Sequence, residues 1–118
     1  MILPICGGAS QGVIATAREK GMHIVWFDEN GFKKAPGVIV SCCMTKHAVA
    51  AKETTLEYLA GKTPWGTVRS VGFRDGYVSY FDEDPAYIEH VPQAIREKMA
   101  SLVKALRTGE IVLPQTLE

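Results

Sequence analysis

The sequence is short of several features that would each have named a function. It has three cysteines, Cys6, Cys42 and Cys43, an odd number with no C-x-x-C among them. That pattern excludes a disulfide framework and a cysteine-based zinc site. Its three histidines, His23, His47 and His90, share no metal-ligand spacing with one another or with the cysteines, so no metal is expected. No apolar run approaches the roughly 18 residues of a membrane span. Lys plus Arg and Asp plus Glu both number 13, so the formal net charge is zero and no basic stripe exists to follow phosphates. Nucleic acid is thereby excluded as a partner. No G-x-S-x-G surrounds Ser10, no G-K-[ST] closes a P-loop, and no nucleophile stands beside a base. The chain enters an apolar segment directly after Met1, which leaves no room for a secretory leader. No catalytic residue and no cofactor is expected.

What is present suits one α/β domain: 118 residues, 47% of them hydrophobic, without repeats or low-complexity tracts. The first thirty residues organise the rest. Ile2–Cys6 is a short apolar run closed by Gly7 and Gly8, and reads as a strand. Ser10 is placed to cap a following helix whose apolar face is Val13, Ile14 and Ala17, and which Gly21 ends. Ile24–Phe27 reads as a second strand with Asp28 just past its carboxyl end, the edge where open parallel sheets bind ligands. Cys6 and Cys43 lie in apolar runs, where a free cysteine serves as a small hydrophobe.

Residues 29–37, ENGFKKAPG, form a loop, and Val38–Cys43 a third strand rich in β-branched residues. A helix opening at Thr45 or Lys46 runs to about Ala60, with Val49, Leu56, Leu59 and Ala60 expected on its buried side and Gly61 as its stop. Thr67–Val71 reads as a fourth strand, Phe73–Gly76 as a turn and Tyr77–Phe81 as a short edge strand. The acidic cluster Asp82–Asp84 before Pro85 is a loop or a helix entry. Pro92 opens the last helix, where Ile95, Met99, Leu102, Val103 and Leu106 form an amphipathic stripe. Gly109 ends it, and Ile111–Leu113 is expected to dock as a last strand. Alternating strands and helices predict a mainly parallel sheet flanked by helices.

Two groups carry candidate chemistry. The turn GGASQG gives G-x-A-x-x-G through Gly7, Ala9 and Gly12, an imperfect dinucleotide fingerprint, with Asp28 near the position of a ribose-binding acid about 20 residues on. The same glycines also serve plain strand–helix packing. A carboxylate such as Asp28 accepts from two adjacent sugar hydroxyls, or from nearby backbone N–H groups in a turn. Lys46 follows the third strand and has a donor for a ligand, or for solvent. Trp26 and Phe27 are core residues or rings that stack on a base.

Taken in order, GGASQGV, VWFDEN, APGVIVSCCMTKH, VGFRDGYV and VPQAIREKMASLVKALRTGEIVLP resemble the basic membrane protein (Med-type) family of solute-binding lipoproteins. The family pattern has a G-G-x-G-x-G-V turn, a G-V-D-x-D strand end, a V-x-T-S-x-x-K segment, a G-x-x-x-G-G-V stretch and a closing V-P helix. The resemblance covers nearly the whole chain. It implies part of a type I periplasmic-binding-protein fold and the solute-binding component of an ABC importer, for a purine nucleoside or a related ligand such as riboflavin.

By position, Asp28 matches the acid used on a ribose and Lys46 a lysine that helps to hold the ligand. Gly7 and Gly8 line the same edge, Gly72–Gly76 matches a segment near the cleft, and Trp26, two residues before Asp28, is a further candidate contact. The sequence departs from the pattern at Ala9–Ser10, at Cys42–Cys43 in place of Thr–Ser, and at Trp26 in place of a glycine. Family members are two-lobed and much longer. The resemblance therefore implies a carboxyl-terminal, second-lobe portion of an exported parent, periplasmic or membrane-anchored, that works with a membrane permease. A homodimer is expected to cover the surfaces left over, and binding by the isolated chain to be weak or absent, since half a cleft buries too little ligand. The alternatives are a small Rossmann-like dinucleotide-binding enzyme domain, which leaves Lys46, GFRDG and the last helix without a role, and a ligand-free, self-associating interaction module.

Overall fold

A computed structural model describes residues 1–113 of the chain. It is a mixed α/β structure built on a three-stranded sheet. In chain order the elements are α1 (Ser10–Glu19), β1 (Ile24–Trp26), β2 (Ile39–Thr45), α2 (His47–Leu59), β3 (Val78–Tyr80), α3 (Pro85–His90) and α4 (Gln93–Thr108). Short 3-10 turns cover Gly7–Ala9 and Phe32–Lys34.

The central strand is β2, because it alone has neighbours on both sides. It pairs in parallel with β1, Ile24 opposite Ile39 and Trp26 opposite Cys42, and antiparallel with β3, Thr45 opposite Val78. The sheet is thus parallel on the side that carries the glycine turn, with an antiparallel edge from β3.

The core lies against this parallel pair. Ile14 and Ala17 of α1, Ile24 and Trp26 of β1, Ile39, Val40 and Cys42 of β2, and Tyr87 and Val91 from α3 and its end are all buried. Phe32 and Ala35 of the loop after Asp28 join them, so that loop is anchored from within rather than solvated throughout. Gly31 is what lets it approach. A methyl group there would lie 2.5 Å from Trp26 Cγ. Its amide N–H donates to the buried Cys42 Sγ at 3.3 Å. The loop is tied to α3 as well: Asn30 Nδ2 donates to Asp84 Oδ2 at 2.8 Å. Asp84 in turn caps α3 by accepting from the Ala86 N–H.

Several expectations need correction. The first strand shrinks to one bridge between Ile2 and Ile24, since Pro4 has no N–H with which to continue the ladder. Ser10 does not cap α1. It is the first helical residue, buried, with its hydroxyl 3.3 Å from Cys6 Sγ. Cys42, not Cys6 or Cys43, is the buried cysteine, and Cys6 is exposed. No strand forms over Thr67–Val71; Val68 is 99% exposed and no backbone bond joins that segment to the sheet. Residues 111–113 do not form a strand, and Pro114, which closes the family-like segment, lies outside the described residues. The acidic cluster leads into a helix, α3.

The largest difference concerns the helix faces. The stripe expected to bury α2 stays exposed: α2 has no buried residue, and Val49, Leu56 and Leu59 are open to solvent. On α4 only Val103 is buried, while Ile95 and Leu102 are exposed. Amphipathic periodicity predicts which face wants cover, not whether a cover exists. The radius of gyration, 16.9 Å, records this. A compact chain of this length has about 13.5 Å.

Replacement of Gly31 by alanine is expected to lower the stability of the chain by about 1–3 kcal/mol, because the added methyl overlaps the indole of Trp26. A fall in the urea midpoint, with the slope unchanged, is the measurement.

Candidate functional site

The parallel pairing of β1 and β2 decides what meets at the carboxyl edge of the sheet. Chain leaving β1 at Trp26 must turn at once, since the loop that follows has to bring Phe32 back into the core. It turns at Asp28, whose φ of 73° is the only positive value outside glycine among the described residues. Aspartate tolerates the left-handed region better than most residues, though at some cost. On the other side of the same edge, Gly7 also has a positive φ, 55°, and carries the chain from the Ile2 bridge into α1.

Between these two turns lies an open cavity of about 540 Å³. Gly7, Gly8, Ser10 and Gln11 line it from the glycine turn, and Trp26, Phe27, Asp28, Glu29 and Lys34 from the strand end and loop. Four of the six residues singled out in the sequence, Gly7, Gly8, Trp26 and Asp28, are therefore brought together. Its volume lies within the range of small-molecule pockets.

Trp26 forms a wall of the cavity. The indole is buried, with Lys34 Nζ 5.6 Å from its centroid and its N–H donating to Glu29 Oε1 at 3.4 Å. Lys34 Nζ also lies 3.1 Å from Glu29 Oε1. The Lys34 ammonium, by hydrogen bond and charge, and then the indole N–H hold the Glu29 carboxyl below its ordinary value. This Trp–Lys–Glu arrangement presents a charged rim, and the half-buried ring of Phe27 is the aromatic surface left beside Asp28.

Asp28 itself is partnered from β2. Thr45 donates its hydroxyl to Asp28 Oδ1 at 2.6 Å, and His47 Nε2 lies 2.7 Å from the same threonine oxygen and 3.5 Å from Asp28 Oδ1. Neither Thr45 nor His47 was singled out from the sequence as a site residue. The only signal was indirect: two strands paired in parallel bring residues just past their carboxyl ends side by side.

Lys46, the residue between them, does not line the cavity. It is half-buried at the start of α2, its N–H donates to the Tyr77 carbonyl at 2.8 Å, and its carbonyl accepts from Val49 and Ala50. Gly72 is elsewhere, in a second cavity of about 380 Å³ between the turn before β3 and the end of α4. There its N–H donates to Asp75 Oδ2 at 2.9 Å, and its carbonyl accepts from Tyr77 and Val78. Among the described residues no group of three or more His, Cys, Asp or Glu is arranged to hold a metal ion.

The cysteines differ in reach. Cys6 is exposed at the cavity, whereas burial pushes the Cys42 thiol up, against the weaker pull of the Gly31 and Phe32 amides. Burial, and then the Asp28 carboxylate, also raises the Cys43 thiol. Iodoacetamide at neutral pH is expected to label Cys6 first and to leave Cys42 unmodified until the protein unfolds, as peptide mass spectrometry will show.

The model of the Bmp family, described as ABC transporter substrate-binding protein PnrA-like, matches residues 1–111.

Proposed function

The chain belongs to the Bmp family of ABC-transporter substrate-binding proteins, and from that premise we propose that its cavity receives one side of a purine nucleoside or a related ligand such as riboflavin. The family is one of solute binders rather than catalysts. The observation that carries the reading is the convergence of Gly7, Gly8, Trp26 and Asp28 on one open cavity at the carboxyl edge of the sheet.

The residues that converge there each have a role in this reading. The Asp28 carboxylate accepts from ribose hydroxyls. Gly7 and Gly8, with no Cβ, let the ligand approach the backbone; a methyl added at either would meet no other atom within 4 Å, so the space beside them is open. Phe27 offers a ring to the base, and Trp26 forms a wall of the cavity. Lys46, at the start of α2 and outside the cavity lining, has no ligand contact in this reading. Gly72 lies in the separate cavity before β3 and lines no part of this one.

The cavity is open on one side, and a site that binds well covers most of its ligand. The exposed apolar faces of α2 and α4 and the extended shape support a chain that works as part of a larger unit. In this proposal that unit is the two-lobed binding protein of an exported parent, periplasmic or membrane-anchored, that delivers solute to a membrane permease. No described helix is long and apolar enough to cross a membrane itself. The chain on its own pairs with a second copy.

Light scattering of the purified chain is expected to give the mass of a dimer, and a monomer at all concentrations refutes self-pairing. Native mass spectrometry with added adenosine, riboflavin and NAD tests the ligand. A nucleoside-sized adduct lost in Asp28→Ala supports the reading, an unchanged adduct removes Asp28 from the site, and an NAD adduct alone favours a dinucleotide-binding domain.

A further inference from the structure

The contacts around Asp28 form a directed chain. Thr45 has one hydroxyl proton, and it is committed to Asp28 Oδ1 at 2.6 Å. The 2.7 Å contact between Thr45 Oγ1 and His47 Nε2 then requires the imidazole to be the donor. Nε2–H gives to Thr45, and Thr45 gives to Asp28, so each donor is polarised toward the carboxylate. The chain is exposed, with 52% of the Asp28 side chain and 78% of the His47 side chain open to solvent, so it adds little to the stability of the fold. Yet it converges on the one non-glycine residue held at positive φ among those described. Residues in sparsely populated backbone regions cluster at ligand sites, and Asp28 is one that also lines a cavity.

We propose that Thr45 and His47 are positioning residues that lock the Asp28 carboxylate in one rotamer. One face of Oδ1 is taken by Thr45, which leaves Oδ2 and the free lone pair of Oδ1 for two adjacent hydroxyls. The ligand class this selects is a vicinal diol, such as an unmodified ribose, over a ribose that lacks one hydroxyl. The inference rests on the nucleoside reading of the cavity. It assigns the selectivity to residues on β2 and α2 that lie outside the cavity lining.

Two measurements on the full chain test it. Three-bond couplings of Asp28, measured by NMR without ligand, are expected to report a single χ1 rotamer in the unmodified protein, averaging in Thr45→Val and a single rotamer again in Thr45→Ser. Calorimetry with adenosine and 2′-deoxyadenosine is expected to show that Thr45→Val narrows the preference for adenosine by about tenfold, the equivalent of one charge-assisted hydrogen bond, and that Thr45→Ser restores it. A purely structural threonine would weaken both ligands equally, and that result overturns the proposal. So does an Asp28 side chain already averaged in the unmodified protein, or one unaffected by Thr45→Val. A locked rotamer in a chain that binds NAD but not adenosine supports the positioning role and overturns the nucleoside reading, so the two fail separately.

Discussion

The parallel pairing of β1 with β2 is the constraint on which the rest of the structure depends. Three pairs of residues, from Ile24–Ile39 to Trp26–Cys42, hold it. The same pairing buries Ile24, Ile39 and Cys42 completely or nearly so and provides the floor on which α1 and α3 pack. Because both strands run the same way, their carboxyl ends finish at one edge. Asp28, Thr45 and His47 meet there, and so does the glycine turn. An antiparallel pairing would have placed the residue after β1 beside the start of β2, and the hydrogen-bond chain to the carboxylate would not exist.

Burial is uneven across the molecule, and the unevenness has a functional sense. The half next to β1 is packed, with a loop stitched to it by Phe32, Ala35 and the Gly31–Cys42 contact. The half containing α2, the segment 61–76 and α4 has apolar residues in the open, Leu59 at 74% and Trp65 at 76% exposure among them. Its internal ties are mostly polar: Arg69 to Glu57 at 3.0 Å, and Tyr77 to Glu53. Such surface pairs orient segments without stabilising them much. In the reading proposed above, these faces are the ones that a larger assembly covers.

Much of the fold was legible because local chemistry and tertiary position agreed. The spacing of Ile14 and Ala17 marked the buried face of α1, Gly61 and Gly109 marked helix ends at positive φ, and the order of the apolar runs marked β1 and β2. Where the reading failed, the physical reason was a missing or unexpected neighbour. A β-rich run such as Thr67–Val71 becomes a strand only if another strand offers it a ladder. Ser10 had the chemistry of a cap but found its partner in Cys6. Of the candidate site, Gly7, Gly8, Trp26 and Asp28 were found from the sequence, because they flank strand ends. Thr45 and His47 escaped, since nothing local distinguishes a threonine at the end of a strand from any other.

The sequence by itself determined where α1, β1, β2, α2 and α4 fall and that an acid stands just past the end of β1, because these follow from periodicity, turn chemistry and the order of short-range signals. Only the tertiary structure decided which faces found a cover, that the edge strand β3 runs antiparallel, and which side chains hold Asp28. Those depend on pairing register and on contacts between residues distant along the chain, where the same residue types are compatible with many neighbours and geometry alone selects one.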